Sequence, residues 1–257
     1  SIEFVDYVDL TNAIVDYDLS EKKDDTITAW ITDNGNNTYN LYIGSIYDIY
    51  TKNFERAFAS MTGLESITFK NLNTSESTSF NYTFYNTSVR SLDLSTFNTS
   101  SAIGMMDMFM GMTKLESLDV SNFDTSNVTD MWYMFGGLSN ITELDISSFN
   151  TANVRKMGYM FSGMTKLKTL KLGSNFKTSR VTTMENMFAG LSSLESLDLS
   201  TFDTTSLTTT QNMFYNCSTL RSLDLSSFKV ASVTDMTNMF FGMSNLESLN
   251  ISNFDTS

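Results

Sequence analysis

From residue 64 onward, apolar and polar positions return at a fixed interval. An apolar residue opens a unit at each of Leu64, Val89, Leu115, Ile141, Leu167, Leu194, Leu220 and Leu246, with spacings of 25 to 27 residues. So narrow a spread predicts one coil per unit of a solenoid, in which each coil touches only its neighbours. A clear copy is LESLDVSNFDTSNVTDMWYMFGGLSN, residues 115–140. Its opening LESLDV alternates, predicting a short strand with Leu118 and Val120 inward and Ser117 and Asp119 outward. Stacked copies predict a parallel sheet.

SNFDTSN then reads as a turn whose Asp, Thr and Ser side chains hydrogen-bond nearby backbone. Its phenylalanine recurs at 97, 123, 149, 176, 202, 228 and 254, and these rings are expected to stack as a continuous spine. The following VTDMWYMFGGL predicts a short helical segment, with Thr129 as N-cap and Asp130 beside the positive helix end. Met131, Met134, Phe135 and Leu138 fall at i, i+3, i+4 and i+7, a stripe facing the core. Fifteen of the 17 methionines occupy three such columns, headed by Met105, Met108 and Met61. A cofactor box or thioether metal site would be local; a pattern running along the whole chain is core. Cys217, aligned with Met243 and Leu191, reads as a small core residue and not as a nucleophile.

Residues 1–63 depart from the repeat. TITAWITDNGNNTYNLYIGS, 26–45, holds two β-rich segments around DNGNN, a hairpin signal. An N-terminal cap over 1–63 is expected, because the first coil would otherwise expose its core and an unpaired edge. KNFERAFASMTGL, 52–64, supplies the helical half of a degenerate first coil. The solenoid runs over 64–257 and stops at ISNFDTS, halfway through a coil, as expected of a fragment truncated at its C-terminus.

Composition narrows the partners. A chain of 257 residues that is 41% hydrophobic folds. Its 29 acidic residues against 16 basic give a net charge of −13, which argues against nucleic acid and anionic lipid and favours a basic or neutral ligand. No apolar run approaches the roughly 20 residues that cross a bilayer, so no direct membrane insertion is expected, and SIEFVDYVDL lacks the build of a secretory signal. A single cysteine excludes an internal disulfide and a cysteine zinc cluster, and the absence of histidine removes His-assisted nucleophiles and the usual zinc ligands.

Written as LxSLDLSxFDTSxVTDMxxMFxGMxxL, the repeat resembles that of BspA-like leucine-rich repeat surface proteins, of the DUF285 type. The resemblance covers 89–257 well and 64–88 poorly, where the Asp and the Met pair are lost. KLGSNFKTS at 171–179 and TTTQNMF at 208–214 also depart from it. It implies a right-handed leucine-rich solenoid, with a parallel β-sheet on one face and short helical segments on the other. It further implies extracellular display on a bacterial cell surface as an adhesin or binding module without catalytic residues, with host extracellular-matrix protein or glycan as partner.

Two surfaces are candidate sites. The outward strand position carries Asp93, Asp119, Asp145, Lys171, Asp198, Asp224 and Asn250. At the strand spacing of about 4.8 Å this is a ladder of carboxylates repelling by about 1 kcal/mol per pair. One reading is structural: the aspartates accept hydrogen bonds from neighbouring Ser, Thr or backbone, and Lys171 bridges Asp145 and Asp198. A second is an acidic face for a basic protein, or for calcium, the only cofactor the pattern leaves open. A third is a carbohydrate-active enzyme, since carboxylates about 5 Å apart suit retaining glycosidases. But a column repeated in almost every coil offers no special pair of divergent acidity. Beside the ladder, Arg90, Glu116, Thr142, Lys168, Glu195, Arg221 and Glu247 suggest cross-rung salt bridges. The helical segments leave two outward positions per coil, and only two coils place aromatics there: Trp132, Tyr133 and Tyr159. These rings either lean on adjacent coils or anchor a sugar or protein contact. The expected function is non-enzymatic binding, against a structural spacer or, less favoured, the enzyme.

Overall fold

The computed structural model describes residues 2–5, 15–18, 27–33, 39–45, 49–50, 52–64, 66–69 and 72–255. Five strands precede the repeat: β1 (Ile2–Val5), β2 (Val15–Asp18), β3 (Ile27–Asp33), β4 (Tyr39–Ser45) and β5 (Ile49–Tyr50). The expected hairpin is the antiparallel pair β3 and β4, with Asp33 opposite Tyr39; its turn, 34–38, lies outside the described residues. β2 pairs antiparallel with the far side of β3. β1 runs parallel to β4 on one side and to β6 (Ile67–Thr68) on the other. Since β6 belongs to the first unit, LESITF, the hairpin sheet continues into the repeat by backbone pairing. A separate parallel pair joins β5 to β7 (Leu72–Asn73).

Within the repeat, LESLDV behaves as its alternation predicts: Leu118 and Val120 are buried, Ser117 and Asp119 exposed. Parallel strand pairs form between β8 (Glu143–Asp145) and β9 (Thr169–Lys171), and between β10 (Ser222–Asp224) and β11 (Ser248–Asn250). The longer run of parallel bridges lies elsewhere in the unit, linking Ser79, Gly104, Asp130, Lys156, Thr183, Thr209 and Asp235 in succession. Stacking one unit on the next is therefore a property of two corners of the unit.

No helix occurs among the described residues, and VTDMWYMFGGL forms consecutive tight turns instead. Its N–H groups alternate in direction. Those of Met131, Tyr133, Phe135 and Gly137 donate to Lys156, Gly158, Met160 and Ser162 of the next unit at 2.7 to 3.1 Å. Those of Met134, Gly136 and Leu138 close turns onto Met131, Tyr133 and Phe135. A helix would direct each of these donors along its own segment, whereas here every second one is used between units. Positive φ at Tyr133 (53°) and Gly137 (74°), each the third residue of a turn, breaks the helical path outright. Thr129 accordingly caps no helix: its N–H and hydroxyl both donate to Ile103 O of the preceding unit. Met131, Met134, Phe135 and Leu138 still point inward and are fully buried.

The continuous aromatic spine is also not the one expected. Phe58, Phe84, Phe109, Phe135, Phe161, Phe188, Phe214 and Phe240 stack in series, with centroids 5.5 to 6.1 Å apart and planes within 11°. The turn phenylalanines stack only over Phe176, Phe202 and Phe228; Phe123 and Phe149 instead tilt against Phe109 and Phe135 of the spine. The turn residues face the spine from the side, so their rings serve to wedge it. Cys217 is fully buried, its thiol donates to Phe188 O at 3.0 Å, and burial pushes its pKa up to about 12.

A third column ties the units together. Thr74, Thr99, Thr125, Thr151, Thr178 and Thr204, the threonines of the turn, are all buried. Each hydroxyl donates to a backbone carbonyl of the following unit at 2.7 to 3.0 Å. Five of them also accept a backbone N–H from that unit, those of Asn98, Asn150, Lys177, Asp203 and Lys229. A buried hydroxyl without such partners would cost stability, and here both its roles are filled.

Candidate binding face

The turn segment repeats a backbone constraint in every unit. Arg56, Tyr82, Asp107, Tyr133, Tyr159, Asn186, Asn212 and Asn238 occupy one column, and all have φ between 53° and 59°. Asparagine and aspartate tolerate this left-handed region because their short side chains bond locally, while a larger side chain is strained there by roughly 1–2 kcal/mol. The last three units use asparagine. The five earlier ones use an arginine, three tyrosines and an aspartate, so side chains the backbone disfavours are confined to one end of the column.

Their rings are held by contacts. Tyr133 stacks on Tyr159 with centroids 4.4 Å apart and planes at 12°, and Trp132 lies 5.4 Å from Tyr159. A Cβ on Gly158 would come within 2.4 Å of Trp132 Cζ3, and one on Gly136 within 2.3 Å of Tyr133 Cδ1. Both glycines thus clear the ground on which a ring rests. Asp130 Oδ1 accepts the Trp132 N–H at 3.0 Å, and Asp130 pairs with Lys156 at 3.4 Å. Trp132, Tyr133 and Tyr159 are each half-buried and lie together, leaning on adjacent units as well as meeting solvent.

The same column holds residues that sequence reasoning passed over. The Arg56 guanidinium lies 4.3 Å above the Tyr82 ring. Asp107, outward by alignment, is buried at 8% exposure. Burial raises its pKa to about 6, with the nearby Asp130 carboxylate adding to the rise, while a hydrogen bond from Tyr82 and the charge of Arg56 oppose it. Burial likewise raises Tyr133, with the Tyr159 hydroxyl and Asp107 adding, and raises Tyr159, with Glu185 adding. The signal that marks Arg56, Tyr82 and Asp107 in the sequence is their departure from asparagine at one column position.

The strand side is different in kind. Asp93, Asp119, Asp145, Asp198 and Asp224 each accept, through Oδ1, the N–H of the serine two residues on, at 2.8 to 3.0 Å. Hydrogen bonds from that serine's hydroxyl and backbone hold all five carboxyls below their ordinary pKa. Lys171 pairs with Asp145 at 3.2 Å but not with Asp198, so it bridges one neighbour and not two. In the adjoining column Arg90 pairs with Glu116 and Arg221 with Glu247, while Lys168 and Glu195 form no ion pair among the described residues. Shallow grooves follow the ladder; one, of about 590 Å³, is lined by Asp119, Glu143 and Asp145 among others. Every ladder aspartate is shifted the same way, so acidity singles out no pair among the five. Among the described residues no three acidic or cysteine side chains converge as a metal site, and no helix is long and apolar enough to cross a membrane.

Fold and faces together define a chain of 25- to 27-residue turn-and-strand units hydrogen-bonded in register to one another. It belongs to the family described as Mycoplasma protein of unknown function, DUF285, which matches residues 52–172 and again 137–254. No curated protein and no solved structure matches the chain.

Proposed function

We propose that the units form a right-handed leucine-rich solenoid of the BspA-like kind and that the chain is a non-enzymatic binding module. In this reading it works outside the cell, at a bacterial cell surface, as an adhesin for host extracellular-matrix protein or glycan, with residues 1–63 capping the stack. The observation that carries the reading is the column of positive φ. Tyrosine stands at three positions where the backbone favours asparagine, and strain of this sort collects at functional sites. A spacer needs uniform faces, and this face is uniform only from Asn186 onward. The strand-side aspartates serve chiefly to close their own turns.

The test replaces Trp132 and Tyr159 together with alanine and measures binding to arrayed matrix proteins and glycans. Binding is expected to fall by at least about tenfold, the effect of losing aromatic anchors, while far-UV circular dichroism stays unchanged. Unaltered binding by the folded variant would refute this face as the site.

A further inference from the structure

Two carboxylates flank the aromatic group, and among the described residues neither has an ion-pair partner. Asp107 precedes Tyr133 by one unit in the same column. Glu185 follows Tyr159 by one unit, in the column that Trp132 and Gly158 occupy. Asp130, close by, is already paired with Lys156. Tyr133 stacks on Tyr159 through one face, and among the described residues no ring covers the face toward Asp107. Gly158, between Trp132 and Glu185 in that column, has no side chain of its own, and the Trp132 ring lies where its Cβ would be.

The chain also shows how this column receives a cation. Arg56 lays its guanidinium over Tyr82, the residue that hydrogen-bonds Asp107 from the other side. Aromatic faces attract cations through the ring quadrupole, and carboxylates bond guanidinium or ammonium groups by charge-assisted hydrogen bonds. An uncharged sugar would meet the rings but bring neither carboxylate a cation, and a sulfated glycan would be repelled by them and by the net charge of −13.

We propose that this face receives basic side chains, arginine or lysine, of a partner polypeptide, one over Tyr133 beside Asp107 and one against Trp132 and Tyr159 beside Glu185. This rests on the aromatic face being the binding site and adds the chemistry of what binds there. A blocked Gly-Arg-Gly tripeptide and its citrulline counterpart, which has nearly the same shape without the charge, are the probes. Binding is followed by backbone amide shifts and by Trp132 fluorescence in a Trp30→Phe background. The arginine peptide is expected to shift amides around Asp107, Tyr133 and Glu185 and to bind at least about tenfold more tightly than the citrulline peptide. Asp107→Asn with Glu185→Gln should remove that preference, while Asp119→Asn with Asp145→Asn on the strand side should not. Equal binding of the two peptides, or loss of the preference only in the strand-side variant, overturns the cation inference. The two readings fail separately. Should the Trp132→Ala, Tyr159→Ala variant lose matrix binding while arginine and citrulline peptides bind wild type alike, the face stands and its charge preference falls. If that variant binds the arginine peptide as wild type does, the aromatic site itself falls.

Discussion

Thr125→Val isolates the hydrogen bonds of the threonine column from its packing. Thr125 is 1% exposed; its hydroxyl donates to Asn150 O at 3.0 Å and accepts the Asn150 N–H at 2.9 Å. Valine has nearly the same shape, so no cavity opens, but a backbone donor and an acceptor of the next unit lose their partner together. An unpaired buried group costs about 1–3 kcal/mol, and Asn150 lies at the exposed side of the contact, so water recovers part of the loss. The expected cost is about 2 kcal/mol. Thr125→Ser keeps both bonds and removes one methyl group, for about 1 kcal/mol. The difference is clearest in amide hydrogen exchange read site by site: the Asn150 amide should exchange much faster in the valine variant and nearly as in wild type in the serine variant. Urea denaturation supplies the global loss. A valine variant with wild-type protection at Asn150, or a serine variant more damaged than the valine one, would refute the stitching role.

Met134→Ala or Phe135→Ala should cost about 2–5 kcal/mol through a core cavity, measured by denaturation; a neutral effect would overturn the inward placement of two fully buried side chains. Stability should peak between about pH 4 and 5 and decline above it. The Asp107 carboxyl, raised to about 6, disfavours the folded state as pH climbs from the unfolded value of 3.8 through 6. The lowered aspartates, Asp119 and Asp145 among them, act the other way, and their contribution is lost as pH falls below 3.8. Asp107→Asn, which installs the residue found at 186, 212 and 238, should abolish the decline from pH 4 to 7 in a series of urea titrations; an unchanged slope would count against the burial of that carboxyl.

What the sequence disclosed follows from what burial alone determines. The methionine columns and Phe135 were legible because a core position needs only the right period, and a tight-turn ribbon and a helix place Met131, Met134, Phe135 and Leu138 inward alike. Telling the two apart depended on a weaker signal: asparagine at 186, 212 and 238 and glycine four residues on, at 190 and 242. Such residues four apart weaken a helix but suit positive φ. Phe123 and Phe135 recur with equal regularity, so the period could not say which would stack. The threonine of FDTS was visible as a turn residue, but its partner lies a unit away and emerges only once the register is fixed. Trp132, Tyr133 and Tyr159 stood out as aromatics at outward positions that most units fill with other residues. Asp107 did not, because its burial is imposed by the larger Tyr82 and Tyr133 on either side rather than by its own chemistry.

The alternation of N–H groups in the turn ribbon has a mechanical consequence. The bonds between units run along the stacking direction, in parallel with those of the threonine column. A pull along that direction therefore loads all the contacts of one interface together, so an interface yields as a whole. Each unit so released turns a rise of about 5 Å into an extended strand of about 90 Å at most. Tension would be met by stepwise lengthening, with the remaining units keeping their shape.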